Sequence, residues 1–346
     1  MAISTRRRIG IAGTVALLAA AAFGVSNVRA NPAPDLPVVA ADQLLASTLG
    51  ALAHPFTISG DVSTHLDLGI PQLPSSLGGP LGPASFVIGD QRFKVWRSPD
   101  GVRLAHLLDL GEQDVVANAS DAWYWDSSTM TAVHLAIPPA ATNPPAVPAS
   151  VDFLSIARRA IGAAAPYADL SVEGTDVVAG RACYELVLTP TSDLTLVGRM
   201  AVAIDAQTRL PLRLQVFARG SDVAAIVGGF TSVSFDPIDP AMFTFTPPPG
   251  ATVRQASDLL QAIRQHATSD GTSNARSEPS DHRIFGTGFE TRVAVRLRAP
   301  LPADVSSFLP YAGPLLSAIV VERGGQTWLL AGPVPVATLQ QDAATL

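Results

Sequence analysis

The sequence predicts an α+β protein dominated by a large antiparallel sheet, with few helices. Three observations lead there. Apolar residues recur at every second position in many short runs. Pro (29) and Gly (27) fall mostly between those runs, as turns between strands require. Only a few segments carry the i, i+3, i+4 spacing of a helix. At 346 residues, 47% hydrophobic and 15% charged, the chain has the composition of a folded protein with room for one large domain or two modest ones.

The N-terminus reads as an address. Arg6-Arg7-Arg8 precedes the apolar run Ile9 to Val25, and Val28-Arg29-Ala30 has small residues where a signal peptidase cuts, so export with cleavage after Ala30 is expected. An uncleaved anchor is the alternative, and either way the remainder lies outside the cytoplasm. No cysteine follows that would carry a lipid anchor. Loss of Arg6, Arg7, Arg8 and Arg29 leaves 19 of the 23 basic residues against 29 acidic ones, a net charge near −10. An acidic chain whose only lysine is Lys94 lacks the basic stripe that nucleic acid requires. Cys183, the single cysteine, can form neither an internal disulfide nor a zinc site alone, so a buried thiol is expected.

After a Pro-rich spacer (31–37), Ala41, Leu44, Leu45, Thr48, Leu49 and Leu52 define one apolar helix face that Pro55 ends. From Phe56 to Leu68 apolar residues alternate with polar ones, the mark of a strand with one dry face. A Pro/Gly loop (Pro71 to Pro83) follows. Strands are then expected at Ser85–Ile88, Arg92–Arg97, Val102–Leu110, Asp114–Ala117, Ala122–Trp125 and Thr131–Ile137, with turns at Gly89-Asp90, Pro99-Asp100-Gly101 and Asp126-Ser127-Ser128. Connections this short imply antiparallel pairing. Beyond the Pro-rich stretch 138–148, Ser150 or Asp152 can cap a helix whose inner face is Phe153, Leu154, Ala157, Ala160 and Ile161. Four strands follow: Ala182–Leu188, Leu196–Ile204, Leu210–Ala218 and Ala224–Phe235, with a hairpin turn at Asp205-Ala206-Gln207-Thr208. Phe243-Thr244-Phe245 and Pro247-Pro248-Pro249-Gly250 close the domain. A short helix (Ala256, Leu259, Leu260, Ile263), a Ser-rich linker (Thr268 to Asp281) and a small α+β appendage complete the chain. The expected divisions are 1–30 signal, 31–37 spacer, 38–253 main domain, 254–283 helix and linker, and 284–346 appendage.

Catalytic templates are missing. There is no G-x-S-x-G elbow, H-E-x-x-H, Walker loop or dinucleotide fingerprint. The six histidines have no ligand spacing. His65 and His134 fall at solvent-facing strand positions, and His106 reads as a satisfied, buried ring. Asp109, Asp114, Asp121 and Asp126 fall at strand ends and turns, where Asp is common. No enzyme activity, cofactor or metal is expected.

Several motifs resemble the LolA/RseB-like family of extracytoplasmic proteins. They are the Phe56 strand directly after the first helix, Ser120-Asp121-Ala122-Trp123-Tyr124-Trp125-Asp126, and the run from Gly180-Arg181-Ala182-Cys183-Tyr184-Glu185-Leu186 through Ile204-Asp205 to Leu210-Pro211-Leu212-Arg213. The last is Phe243-Thr244-Phe245-Thr246-Pro247-Pro248-Pro249-Gly250. The resemblance spans Val39 to Val253. The extra loop and appendage are closer to the longer members from GC-rich Gram-positive bacteria. It implies a strongly curved antiparallel half-barrel with helices plugging its concave face. It further implies a non-enzymatic carrier that holds the acyl chain of a lipid or lipoprotein. RseB-like members imply an alternative: a regulator that binds the outer part of an anti-sigma factor or another membrane protein.

Side-chain parity selects the wall of such an acyl-chain cavity: Phe56, Ile58, Val62, Leu66, Leu104, Trp123, Trp125, Leu186, Leu188, Val202, Leu212 and Leu214. Parity does not separate a cavity wall from a filled core, and for Trp123 and Trp125 both readings stay open. Each methylene buried there is worth roughly 0.8 kcal/mol, so a chain of 14 to 16 carbons gains on the order of 10 kcal/mol before ordering costs.

Overall fold

A computed structural model describes residues 33–67, 69, 89–137, 153–257, 282–297, 301 and 303–346. The expected signal, the Pro71–Pro83 loop, the strand at Ser85–Ile88, the 138–148 stretch with its caps Ser150 and Asp152, and the linker from Thr268 to Asp281 lie outside these residues. Of the helix expected after residue 255, only Ala256 and Ser257 fall inside them.

Helix α1 (Ala41–Ala53) forms where the spacing of its leucines predicts, burying Leu44, Thr48 and Leu52. Strand β1 (Ile58–Leu66) follows, then the meander β2 (Gly89–Ser98), β3 (Gly101–Leu108), β4 (Gly111–Asn118), β5 (Asp121–Asp126) and β6 (Thr131–Ala136). Gly89-Asp90 is thus the start of a strand, not a turn. Helix α2 (Phe153–Ala164) buries Phe153, Leu154, Ala157, Ile161 and Ala164. A second meander runs through β7 (Ala168–Val178), β8 (Arg181–Pro190), β9 (Val197–Asp205), β10 (Pro211–Ala218) and β11 (Ala224–Ser234). The sequence pattern does not reveal β7. A register shift between Val172 and Thr175, with Gly174 at φ 101°, breaks its alternation midway.

Among the described residues twelve strands form one sheet in the order β12-β6-β5-β4-β3-β2-β1-β11-β10-β9-β8-β7, where β12 is Thr252–Gln255. Pairing is antiparallel except for β12, which lies parallel to β6. The two meanders join at the center through β1 and β11. The sheet is open, with β12 and β7 at its edges, and it curls. Cα atoms of β7 and β11 approach within 8 Å, although β8, β9 and β10 lie between them. Flat strands about 4.8 Å apart would hold them roughly 19 Å apart.

Curling gathers one face into the main core. Leu44 and Leu52 of α1 and Leu154 and Ile161 of α2 share a cluster with Ile58, Val62, Phe93, Val95, Leu104, Leu186, Leu188, Val202 and Leu214. The segment before α1 is strapped to the sheet: Thr175 and Tyr184 donate hydroxyl hydrogen bonds to the carbonyls of Pro34 (2.7 Å) and Pro37 (3.0 Å).

The C-terminal residues build a second, five-stranded sheet ordered β13-β14-β17-β16-β15. Its strands are β13 (His282–Phe285), β14 (Arg292–Leu297), β15 (Tyr311–Ala312), β16 (Ser317–Arg323) and β17 (Gln326–Gly332), joined by the short helix α3 (Ala303–Ser306). Helix α4 (Val336–Ala343) packs Leu339 and Ala343 against Ala294, Ile319, Trp328 and Leu330. This unit is docked on the main sheet. The Leu196 amide donates to the Pro333 carbonyl (2.7 Å), the Thr195 hydroxyl donates to the Phe289 carbonyl (2.8 Å), and Leu315 packs with Val197, Ala218 and Ala225.

Two polar residues of the sequence motifs, Arg181 and Asp205, have a structural task. Asp205, 1% exposed, accepts from Arg181 Nε (2.8 Å), the Thr208 amide (2.7 Å) and the Thr208 hydroxyl (2.9 Å), tying the β8 start to the β9–β10 turn. Burial opposes its ionization, but the bonds from Arg181 and Thr208 outweigh that, and the carboxyl lies below the usual range. A carboxyl lowered on folding stabilizes above its unfolded value, near 4, and the contribution disappears as pH falls through the folded value. Asp205→Asn is expected to lower unfolding free energy at pH 7 by about 2 kcal/mol and to flatten the acid limb of stability. Urea titrations of both proteins between pH 3 and pH 7 measure this, and an unchanged acid limb would refute it.

Candidate functional site

The face that carries α1 and α2 is the candidate site, and cross-strand register settles which residues share it. Leu186 pairs with Val202, and Val202 with Leu214. Leu214 pairs with Gly228. Across the center Phe230 pairs with Val62, Val62 with Phe93, and Val95 with Leu104. Directly paired residues project from the same side, so an aliphatic surface runs unbroken from β8 to β3.

Eight of the twelve parity-selected residues (Ile58, Val62, Leu104, Leu186, Leu188, Val202, Leu212 and Leu214) are buried together in the cluster beneath the helices. Phe56 packs half-buried at its margin, with the Arg97 guanidinium 4.8 Å above its ring. Leu66 is half-buried at the far end of β1.

Trp123 and Trp125 do not belong to this group. Trp125 pairs with Asp114, Asp114 with Ala105, Ala105 with Lys94 and Lys94 with Asp61. Trp123 likewise leads through Val116, Arg103 and Trp96 to Ser59. Both indoles therefore face the side without helices. Parity within one strand says that Trp123 and Trp125 agree with each other, but nothing about how β5 is phased against β1.

The aromatic ending of the domain covers them. Phe245 lies 5.5 Å from Trp123 and 5.9 Å from Trp125. Phe243, 1% exposed, fills a notch at Gly101, where a Cβ would come within 2.7 Å of its ring. Asn118 donates to the Phe243 carbonyl (2.9 Å). The F-x-F motif is thus a clasp over β3 to β5. His134 stacks on Trp123 at 4.1 Å and bonds Asp121 at 2.7 Å. With its side chain only 18% exposed, it is half-buried, not solvent-facing as its parity suggests. His65 is exposed and bonded to Asp90.

Residues missed by parity complete the site. Phe93, Val95, Met200, Ile204 and Phe230 belong to the same cluster, and Phe153 of α2 stands edge-on to Phe230 at 5.7 Å. Gly228 makes room for that ring, since a Cβ there would lie 3.3 Å from it. A Gly-Gly pair inside an apolar strand run is the available signal for such close approach.

Polar groups border the aliphatic surface toward β6. His106, 1% exposed, bonds Gln91 through Nε2 (2.6 Å) and stacks on Phe93. Burial lowers its pKa, holding the ring neutral. Gln113 donates to Asp126 (3.1 Å), which also accepts from the Ser128 hydroxyl (2.6 Å) and amide (2.9 Å). Asp114 is buried mid-strand and paired with Arg103. These carboxylates hold turns and strands together. Among the described residues the Thr64 hydroxyl is buried without a hydrogen-bond partner; it projects from the helix side, since Thr64 shares the parity of Val62. So does Tyr124, which pairs with Val115 opposite Leu104 and whose hydroxyl faces the Asp126 carboxylate. Burial, reinforced by the Asp126 carboxylate, pushes the Tyr124 phenol up. Cys183 is fully buried, and burial raises its thiol to about 12, which makes it inert at neutral pH.

Between helices and sheet a residual pocket at Leu52, Phe56, Arg97, Leu154, Ser155 and Arg158 has a volume near 10 Å³, at most a single water. Among the described residues, no group of three His, Cys, Asp or Glu side chains could hold a metal, and no helix is long and apolar enough to cross a membrane.

No family model matches the chain, and no curated protein does. Similar solved structures include the Pseudomonas aeruginosa MucA/MucB complex (14% identity, 87% of this chain and 96% of that chain, TM-score 0.47). The Mycobacterium tuberculosis lipoprotein LppX is also similar (14% identity, 57% and 97%, TM-score 0.31). A third is a LolA superfamily protein of Nitrosomonas europaea (9% identity, 60% and 99%, TM-score 0.26).

Phe243→Ala is expected to cost about 3–5 kcal/mol in chemical unfolding, and to red-shift tryptophan emission as the clasp loosens over Trp123 and Trp125. Unchanged emission would contradict the clasp.

Proposed function

We propose that this chain is an extracytoplasmic, non-enzymatic protein that shelters the acyl chain of a lipid or lipoprotein between the sheet and helices α1 and α2. The observation that carries this reading is the aliphatic surface running from β8 to β3 under only two short helices. Such a wall offers nothing to acids, bases or metals, and everything to hydrocarbon. Among the described residues Leu44, Leu154 and Ile161 of the helices are packed into the cluster on this face, and the pocket at Leu52, Phe56 and Arg97 has space for one water. A guest therefore enters by taking the place of helix side chains such as Leu44, Leu154 and Ile161, so the helices act as a displaceable lid. The sequence resemblance to LolA/RseB-like proteins points the same way, with a half-barrel as scaffold.

The unpartnered Thr64 hydroxyl adds a polar contribution. A buried hydroxyl without a partner is a cost, and an ester carbonyl at the hydrocarbon's head would relieve it. The second reading is a regulator holding the outer part of a membrane protein. The docked C-terminal unit favors it, since an acyl carrier does not require a second sheet.

Organic extraction of purified full-length protein followed by lipid mass spectrometry tests the acyl reading. Stoichiometric acyl lipid is expected, falling several-fold in Leu186→Asp and unchanged in Trp125→Phe, whose side chain lies on the opposite face. Protein free of lipid after purification, and unable to bind added acyl lipid, would end the proposal. Thr64→Val is expected to stabilize the lipid-free protein by up to about 1 kcal/mol while weakening lipid retention; a destabilized variant would show that the hydroxyl has a partner.

A further inference from the structure

Helix α2 is gripped at one end by the C-terminal unit. Its last residue, Ala164, runs directly into a 3-10 turn (Ala165–Tyr167) and then into β7. Tyr167 is anchored to the sheet, because its carbonyl accepts from the Thr191 amide (3.1 Å) and hydroxyl (3.2 Å) just past β8.

The C-terminal unit meets the same residue with a 3-10 turn of its own, Gly288–Glu290. Gly288, at φ 54°, lies so close that a Cβ there would come within 2.4 Å of the Tyr167 ring. Beside it Phe289 packs half-buried against the main cluster, to which Leu154, Ile161 and Ala164 of α2 belong. Cα atoms of this turn and of α2 approach within 8 Å. The Phe289 carbonyl, held by the Thr195 hydroxyl (2.8 Å), fixes the turn to the connection between β8 and β9.

What stiffens the turn lies deeper in the C-terminal unit. Buried Arg292 donates through Nη1 to the Glu290 carbonyl (2.9 Å) and through Nε and Nη2 to the Asp342 carboxylate of α4. A guanidinium presents its donors in a rigid fork, so the place of α4 sets the place of the turn. Gly286, at φ 68°, allows the tight return, since a Cβ there would meet the Glu290 carbonyl at 2.6 Å.

We propose that the turn 286–291 is a latch on α2. It clamps the C-terminal end of the helix to the sheet, and α2 lifts from its seat only when the turn withdraws. Arg292 is the positioning residue of that latch. The grip is mainly side-chain packing, so it opens by a local rearrangement that leaves the strands paired. The clamp stands on these contacts alone. Its consequence for a guest rests on the acyl-chain reading, in which the C-terminal unit controls when the seat under α2 becomes free.

Hydrogen–deuterium exchange on the full chain tests the clamp. In Phe289→Ala the α2 amides are expected to exchange about tenfold faster, with those of β3 and β4 unchanged. Tyr167→Ala alters a ring that is already exposed and leaves the C-terminal unit whole. It is expected to act in the same way, and it keeps the test decisive should Phe289→Ala misfold. Arg292→Lys retains the charge but loses the fork between Asp342 and the Glu290 carbonyl, so a smaller acceleration of α2 is expected. Unchanged α2 exchange in the folded variants refutes the latch. Acceleration shared equally by β3 and β4 refutes it as well, because it reports loosening of the whole domain.

Uptake of the fluorescent fatty acid cis-parinaric acid separates the latch from the acyl-chain reading. Uptake about tenfold faster in Phe289→Ala and Tyr167→Ala supports control of the seat, since uptake follows the open fraction. Binding at a rate that both variants leave unchanged refutes that control. Binding to none of the proteins ends the acyl-chain reading, and the exchange data still decide the clamp.

Discussion

The structure depends on one constraint: a sheet with a continuous aliphatic face must hide it from water. Side chains from β8 across to β3 all project that way. At roughly 25 cal/mol per Å², exposing them to solvent would remove much of the drive to fold. Two solutions act together. The sheet bends until β7 approaches β11, and α1 and α2 pack their buried residues against the same face. Neither suffices alone. Helices of 13 and 12 residues are too short to be stable in isolation, and an uncovered curl would be a wet apolar trough.

The opposite face obeys different rules. Along β1, β2, β10 and β8 it carries polar or charged residues, including Asp61 with Lys94 and Arg213 between Asp176 and Glu185. Around β3 to β5 it turns aromatic, and there the chain returns after β11 to lay Phe243 and Phe245 over it. The clasp ends in β12, whose parallel pairing with β6 caps an edge that would otherwise invite aggregation. The indoles therefore contribute to stability from the side away from the helices.

Much of this was legible in the residues. Both helices, their buried faces, most strands of the two meanders, the Asp205 turn and the buried Cys183 follow from period, turn chemistry and cysteine arithmetic. What escaped had physical causes. Strand β7 is interrupted by a bulge at its glycine, so its two halves point their apolar residues in opposite phases. The phase of β5 relative to β1 is set by three intervening hairpins, each able to shift register by one, and a one-residue slip moves every side chain to the other face. His134 looked exposed because parity registers the side a residue takes and is blind to the Trp123 ring that stacks on it from the neighboring strand. The glycine notches at Gly101 and Gly228 were visible as residues, but the rings that enter them were not.

On the proposed acyl reading, helices packed into the core and a lipid-holding role are compatible because lid and guest would compete for the same surface. The wall gains similar free energy from a leucine of α1 as from methylenes of a hydrocarbon chain, so exchange depends on the small difference between them and not on the total. A rigid, hollow cavity would instead leave apolar walls unpacked in the empty state, forfeiting dispersion contacts along its whole lining. Short helices held mainly by side-chain packing, next to a segment whose Pro34 and Pro37 carbonyls are bonded to the sheet, would let that exchange leave the strands intact. The Arg181–Asp205 tie sits at the ends of β8 and β9 and the Phe243 clasp on the face away from the helices, so both would persist if the helices were displaced.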